Sequence, residues 1–305
     1  MVIGINGLRA LSLAKRIGGI DFDRTVTLGR HEIFFTEEDF AFIKARGGLP
    51  LTYDHSVGVG QFAESLFKKF GASEIESIDA SGYEGASIIM DFNQPVSGAL
   101  KEKYTLFADF GSIEHIFNIS QAIENISSLL AQGGGVIIQT QANGFAGHGF
   151  YQLSPEFFYS AFSEANGFGG TVVFLVDMQD IRRWYLVPDP QSLAKRNAIP
   201  NRRSFHIFCI SAKSATVGTI RAQQSDYELA WQTEGHSHMG EYRRGIEAKL
   251  LDPVSPFLTH NARRLYYTRR ALKDFRRESV RFDPDFVSQK EFDKLRYAAT
   301  SRRAK

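Results

Sequence analysis

The stretch YTLFADFGSIEHIFN at residues 104–118, followed by GGGVIIQTQANGFAGHGFYQLSP at residues 133–155, decides the fold class. Two short apolar runs, Thr105–Phe110 and Val136–Thr140, flank a segment with the periodicity of an amphipathic helix. This order is typical of a βαβ unit whose parallel strands are buried. Polar residues follow both runs, which places functional groups at the carboxyl ends of strands, where an open α/β sheet binds its ligands.

The chain before and after this unit continues the alternation of strands and helices. Glu37–Arg46 and Phe62–Phe70 have the apolar spacing of helices. Five further segments predict strands: Thr25–Gly29, Glu74–Ala80, Ala86–Met90, Thr171–Val176 and Phe205–Ser211. We therefore expect a doubly wound, Rossmann-like α/β sheet of about seven strands, with an antiparallel last strand. The polar, proline-bearing stretch 182–203 predicts a surface loop.

Composition divides the chain into three parts. Residues 1–23 predict an N-terminal extension, residues 24–211 the sheet domain, and residues 212–305 a polar, basic C-terminal extension. In that extension strand patterns are absent, Ala262–Arg277 has helical spacing, and Asp283–Lys305 is expected to be loose. Its arginine pairs are more typical of a solvated helix face than of a nucleic-acid site, because no nucleic-acid motif accompanies them.

Charge and cysteine content narrow the class of protein. The formal net charge of +2 over 305 residues argues against a dedicated acidic or basic binding protein. The one cysteine, Cys209, lies in an apolar run and excludes a disulfide framework within one chain. No apolar run approaches the roughly 20 residues that span a bilayer, and no signal-peptide pattern is present. We therefore expect a cytoplasmic protein with no membrane span.

Glycines before a helix and an aspartate at a strand end have the spacing of a nucleotide site. Gly58 and Gly60 precede the helical run Phe62–Phe70, and Asp79 closes a strand about 20 positions after Gly58. A carboxylate at that place accepts two hydrogen bonds from ribose hydroxyls. Asp79 is also suited to closing a turn, and Asp91, which ends the next strand, lies in the turn-forming sequence DFNQP.

Three motifs and the order of the strands make residues 24–211 resemble the class I S-adenosylmethionine-dependent methyltransferases. The motifs are IDASGYEGA at 78–86, GSIEHIFN at 111–118 and GHGFYQLSPEFFY at 147–159. Together they are similar to those of a bacterial methyltransferase-like group. The resemblance implies methyl transfer from S-adenosylmethionine to a small-molecule or saccharide-like acceptor.

The resemblance also implies how the cofactor lies across the strand ends. Asp79 would contact the ribose hydroxyls, Asp91 the adenine amino group, and the Phe110–Ile113 turn the methionine portion. The full set of expected cofactor-binding residues is Gly29, Gly58, Gly60, Asp79, Ala80, Asp91, Phe92, Asp109, Phe110 and Gly111.

One departure from the family concerns the loop after the first strand. The family has a GxGxG turn there, whereas TVTLGRHEI at 25–33 supplies only Gly29. Either the following insertion brings Gly58 and Gly60 into that place, or the cofactor loop is altered. The alternative function is therefore a catalytically degenerate methyltransferase fold that serves as a binding or scaffold module. A nicotinamide-dependent oxidoreductase is disfavoured, because no GxGxxG follows the first strand.

The catalytic candidates are Glu114, His115, His148 and Tyr151. His115 is the first choice as general base, because an imidazole titrates near neutral pH. On a helix, Glu114 and His115 would project about 100 degrees apart, so both face one point only if they lie in a turn. The alternative for His115 is a hydrogen-bonded orienting role.

The segment after the fifth strand is aromatic and rich in glycine. His148 lies between two glycines and beside Tyr151, so the segment is suited to closing over an acceptor. The alternative is that its aromatic residues pack and that Ser154 caps a helix. We expect no metal site, because His236 and His238 lie in a polar stretch without a matching set of ligands.

Overall fold

The computed structural model describes residues 1–49, 51–180, 182–193, 196–199, 203–225, 227–228, 260–285 and 287–301. Its strands are β1 (Val2–Ile3), β2 (Arg24–Leu28), β3 (Glu32–Ile33), β4 (Glu74–Asp79), β5 (Ile88–Ile89), β6 (Tyr104–Phe110), β7 (Leu130–Asn143), β8 (Phe168–Asp177), β9 (Trp184–Val187), β10 (Phe205–Lys213) and β11 (Val280–Phe282). Its α-helices are α1 (Ile5–Arg16), α2 (Glu37–Ala45), α3 (Glu64–Lys69), α4 (Ile119–Leu129), α5 (Pro155–Ala161), α6 (Pro190–Leu193), α7 (His260–Glu278) and α8 (Gln289–Ser301). None of these helices has the length and apolar character needed to cross a membrane.

The main sheet has nine strands among the described residues, in the order β5-β4-β2-β6-β7-β10-β8-β9-β11. Five neighbouring strands of the sheet are parallel to one another: β5, β4, β2, β6 and β7. Strand β10 runs antiparallel to both of its neighbours, β7 and β8. The predicted fold class, a doubly wound α/β sheet with an antiparallel last strand, is confirmed. From β2 the chain continues to β4 and β5 toward one edge of the sheet, and from β6 it continues to β7 toward the opposite edge. The order of strands therefore reverses between β2 and β6, where such sheets form a ligand crevice.

Strand β6 is apolar on both faces because helices cover both sides of the sheet. Leu106 and Phe110 belong to the core that contains α1, whereas Phe107 belongs to the core that contains α4. On α4 the apolar positions Ile123 and Ile126 face this second core, as the helical spacing predicts. The two cores hold the switch point between β2 and β6 in a fixed geometry.

The prediction of a surface loop over 182–203 is wrong for β9. Trp184 is fully buried, stacks on Phe208 at 4.9 Å between ring centroids, and donates a hydrogen bond from Nε1 to Asn6 Oδ1 at 3.0 Å. The run is only four residues long and is flanked by arginines and Pro188, so its strand pattern is too short to stand out. Pairing with β8 makes it a strand.

The prediction that strands end after Ala212 and that Asp283–Lys305 is loose is also wrong. Strand β11 pairs with β9, and α8 follows it. Phe282 and Phe292 reach the core that contains α1, which explains why this part of the chain is ordered. The predicted helices over Glu37–Arg46 and Ala262–Arg277 are present as α2 and α7. The division into three domains stays a prediction.

A buried ion pair joins the C-terminal segment to α1. Arg9 Nε donates to Asp285 Oδ1 and Arg9 Nη2 donates to Asp285 Oδ2, both at 3.0 Å. Both side chains are almost fully buried. Arg46 Nε, at the end of α2, donates to the same carboxylate at 3.2 Å. Two guanidinium groups thus share Asp285, which ties the segment after β11 to α1 and to the end of α2.

Candidate functional site

The crevice at the switch point begins with Gly29, directly after β2. Gly29 has a φ of +79°, and its N–H donates to the Ile78 carbonyl at 2.7 Å. A Cβ built on Gly29 would overlap the methyl group of Met1, whose sulfur contacts Ser112 Oγ. Strand β1 pairs with β3 and holds Met1 there. The Met1 side chain therefore lies over Gly29, between the ends of β2 and β6.

The Gly58–Gly60 segment lies beside β3. Gly60 N–H donates to the Ile33 carbonyl at 3.0 Å, and Ile33 N–H donates to the Gln61 carbonyl at 2.8 Å. These bonds fix the two glycines to a strand that starts three residues after Gly29. Their contact with a cofactor stays a prediction.

Asp79 ends β4 at the same edge of the sheet and is half-buried. Its Oδ1 accepts a hydrogen bond from Ser81 N–H at 2.9 Å, so the aspartate closes a turn. Its Oδ2 accepts no hydrogen bond from a residue that the structure describes. The turn role and a ligand role are therefore compatible, because each uses a different oxygen. Ala80 is exposed directly beside it.

The next strand end offers less to a ligand. Asp91 is exposed and accepts hydrogen bonds from Asn93 N–H at 2.9 Å and Asn93 Nδ2 at 2.7 Å. These bonds lower the pKa of the Asp91 carboxyl, the backbone bond most strongly. The Phe92 side chain is buried and stacks on Phe107, with ring centroids 6.1 Å apart. Phe92 thus has a packing role, and its carbonyl accepts a hydrogen bond from the buried Asn125 Nδ2 at 3.0 Å.

Asp109 and Phe110 organise the end of β6. Both carboxylate oxygens of the buried Asp109 accept backbone hydrogen bonds, from Ser112 N–H at 2.9 Å and Ile113 N–H at 3.0 Å. Burial and, next, the neighbouring Glu114 raise the pKa of Asp109 to about 8. The Phe110 ring is buried against His31. Gly111, with a φ of +100°, leaves the backbone of this turn open to close approach.

Glu114, His115 and His148 come together beside this turn. Residues Ile113–His115 form one turn of 3₁₀ helix, the arrangement in which Glu114 and His115 can face one point. One potential ligand atom from each of the three residues lies within 4.8 Å of the other two. The rings of His115 and His148 are 4.9 Å apart, and His148 Nε2 is 3.8 Å from Glu114 Oε1. Glu114 is buried, and Thr140 Oγ1 donates to its Oε2 at 2.8 Å.

The GHGFYQ segment lies against the same turn. Phe150 N–H donates to the Glu114 carbonyl at 2.8 Å, and Tyr151 Oη donates to the Phe117 carbonyl at 2.7 Å. Phe117 and Phe150 form an edge-to-face pair that is largely exposed, with centroids 5.5 Å apart. The segment therefore joins His148 and Tyr151 to the cluster and adds an apolar surface beside it. Ser154 caps α5, as predicted.

Sequence reasoning missed His31, Met1 and Thr140 as residues of this region. His31 is fully buried, and neither ring nitrogen has a hydrogen-bond partner among the described residues. Burial and, to a smaller extent, the N-terminal amino group lower its pKa to about 3. The signal for His31 was its place two residues after Gly29. Met1 and Thr140 carried no signal, because both reach the site through long-range strand pairing. His236 and His238 lie outside the described residues.

Comparison with known proteins gives similar structures and no sequence family. No protein-family model matches the chain, and no curated protein matches its sequence. A candidate methyltransferase of Bacillus halodurans is 9% identical with a TM-score of 0.38, over 70% of this chain and 99% of that one. Phosphoethanolamine N-methyltransferase 2 of Haemonchus contortus, solved with S-adenosyl-L-methionine, is 14% identical with a TM-score of 0.39, over 68% and 52%.

A third similar structure is the branched-chain polyamine synthase of Thermus thermophilus. It is 12% identical with a TM-score of 0.35, over 70% of this chain and 58% of that one. Identities and TM-scores this low carry no argument about the activity of this chain.

Proposed function

We propose that the protein is an S-adenosylmethionine-dependent methyltransferase that acts on a small or saccharide-like acceptor. The observation that carries the proposal is the Asp79 carboxylate at the switch-point edge, where Oδ2 accepts no hydrogen bond from the described residues and β4 lies beside β2. Ligands of doubly wound sheets bind at this edge, and an acidic residue after the second strand of the unit accepts ribose hydroxyls. The three motifs that resemble this family support the same function.

The described residues fit the nucleoside part of this cofactor. Asp79 offers a carboxylate oxygen that accepts no hydrogen bond from the part of the chain that is described, and the glycine backbone at Gly29 and Gly111 allows a ligand to approach closely. The Met1 side chain, which lies over Gly29, is a flexible thioether that changes rotamer at low cost. We expect it to move aside when the crevice is filled.

When bound, S-adenosylmethionine supplies a methyl group that its sulfonium has already activated. The chain must then orient the acceptor and accept its proton. His115 and His148 are exposed, whereas Glu114 is buried behind them, so the cluster presents imidazole nitrogens outward to an acceptor. A histidine base of this kind contributes about 10²- to 10⁴-fold to the rate. The exposed rings of Phe117 and Phe150, which meet edge to face, provide an apolar surface against which one face of a sugar could pack.

We expect Asp79→Ala to weaken the binding of S-adenosylmethionine. Each hydrogen bond to a charged group contributes about 1.5–3 kcal/mol, which corresponds to a loss of at least about tenfold in affinity. Calorimetric titration of wild type and variant with S-adenosylmethionine and S-adenosylhomocysteine measures it. Asp21→Ala is the matched control, because Asp21 Oδ1 accepts from Asp23 N–H in the same kind of turn. Equal losses in both variants would refute the ribose role of Asp79.

The competing proposal is a degenerate fold that serves as a binding or scaffold module. The observation in its favour is the Met1 side chain over Gly29, together with the single glycine of this loop. A degenerate protein would bind neither S-adenosylmethionine nor S-adenosylhomocysteine in the titration. Micromolar binding that depends on Asp79 would exclude it.

A further inference from the structure

Two buried carboxyl groups, those of Asp109 and Glu114, lie at the end of β6. Both oxygens of Asp109 accept backbone hydrogen bonds, from Ser112 and Ile113, and Glu114 Oε2 accepts one from the Thr140 hydroxyl. Within the part of the chain that the structure describes, neither carboxyl group forms an ion pair with a lysine or arginine. The basic side chain beside Glu114 is His148, whose Nε2 lies 3.8 Å from Glu114 Oε1. A buried carboxylate is stable when it is paired with a cation or bound to a metal ion.

The donor atoms around this charge are those of a transition-metal site. Glu114 supplies a carboxylate oxygen, and His115 and His148 supply one imidazole nitrogen each. Two histidines and one carboxylate form the three-ligand set of open zinc sites and of other divalent sites with free positions. The lone Cys209 is buried in a separate part of the core, so the set has no thiolate.

A hydrogen bond holds the Glu114 carboxylate in place, whereas the side chains of His115 and His148 are exposed to solvent. Thr140 Oγ1 fixes Glu114 Oε2, so Oε1 is the oxygen turned to the histidines. Tetrahedral bonds of about 2.1 Å require ligand atoms about 3.4 Å apart. The present separations are at most 4.8 Å, and the two exposed imidazoles would have to rotate toward the ion to close the difference.

We propose that Glu114, His115 and His148 bind one divalent transition-metal ion of the zinc class, with at least one position open to solvent. This proposal reverses the expectation of no metal site, which considered only His236 and His238. The ion would supply a cationic partner for the buried Glu114 carboxylate. Its open position lies on the exposed side, next to Phe117 and Phe150.

The role of such an ion rests on the proposed function, whereas its binding does not. A divalent ion beside a hydroxyl group lowers the pKa of that group by acting as a Lewis acid. In a methyltransferase it would therefore take over from His115 the task of making the acceptor oxygen nucleophilic. An acceptor with a hydroxyl group that can reach the ion, such as a sugar, fits this arrangement.

Titration of metal-free protein with Co²⁺ tests the proposal without any cofactor. The protein carries no histidine tag, is treated with a chelator, and is followed by the visible absorption of bound Co²⁺, with Zn²⁺ as competitor. We expect one site per chain. Glu114→Gln and His148→Ala should each weaken it at least tenfold, and Thr140→Val, which frees the Glu114 carboxylate, should weaken it about 10- to 100-fold.

Two control variants locate the ion. His55→Ala removes an exposed histidine outside the cluster, and the double variant His236→Ala with His238→Ala removes the other candidate ligands; both should bind Co²⁺ as the wild type does. His148 is about half exposed, so its loss leaves the fold intact, and circular dichroism verifies this for each variant. Absence of Co²⁺ binding, or binding that survives Glu114→Gln and His148→Ala, would overturn the metal site. The Asp79 titration is independent of either result.

Discussion

Asp285→Asn should lower the free energy of unfolding by about 3–5 kcal/mol, the typical cost of removing one member of a buried ion pair. Arg9 Nη2 then still lies 3.6 Å from Asp283, whose side chain is 43% exposed and offsets less of the loss. The carboxylate of Asp285 accepts two hydrogen bonds from Arg9, and both side chains are almost fully buried. Arg46 also donates to it. An asparagine keeps the size of the side chain but turns an N–H group toward two guanidinium groups.

Chemical denaturation measures this loss, and Asp293→Asn is the matched control. Asp293 makes a long, exposed ion pair with Arg296 on α8, at 4.0 Å, and such pairs contribute between zero and about 1 kcal/mol. A loss below about 1 kcal/mol in Asp285→Asn would contradict the claim that this pair anchors the C-terminal segment. The result bears on function because α1 also carries Gly7, which packs against Phe110 at the end of β6.

The second large effect is a loss of stability at low pH that is caused by His31. Burial holds the pKa of His31 at about 3 in the folded protein, against a value near 6.5 when unfolded. Between these values the unfolded chain binds a proton that the folded protein does not. The contribution of His31 to stability is therefore fully present above pH 6.5 and is lost as the pH falls toward 3.

We expect His31→Phe to remove this acid sensitivity. Between pH 7 and pH 4 the wild type should lose about 3 kcal/mol more than the variant, following the difference between the two pKa values. The phenyl ring keeps the edge-to-face contact with Phe110 and removes two ring nitrogens that have no partner. Denaturation at each pH measures it, with the exposed His55 as the site of a control variant, His55→Phe. Parallel curves for wild type and His31→Phe would show that His31 is not buried as described.

The sheet was predictable because its central strands are long and apolar on both faces. In β6 the consecutive residues Leu106 and Phe107 enter opposite cores, so the pattern appears as a continuous apolar run. Strands β9 and β11 have four and three residues; β9 is held by pairing with β8, and β11 by pairing with β9, rather than by patterns of their own. Sequence periodicity cannot identify elements that exist only through such pairing.

The candidate site was predictable in its residues but not in its arrangement. Asp79, Glu114, His115 and His148 were all expected from their places after strands or in motifs. Their meeting depends on the turn at the end of β6 and on the Phe150 hydrogen bond to the Glu114 carbonyl, which joins residues 36 positions apart. Met1 over Gly29 depends on the two-residue strand β1, which finds its partner 30 residues later. Local sequence carries no signal for contacts of this kind.

A crystal structure of the protein grown with S-adenosylhomocysteine tests the central claim most directly. We predict the ligand in the crevice between the ends of β2 and β6, with a ribose hydroxyl within hydrogen-bond distance of Asp79 Oδ2. The Met1 side chain should have moved away from Gly29. A crevice still filled by Met1 at saturating ligand, or a ligand bound away from Asp79, would contradict the proposed function.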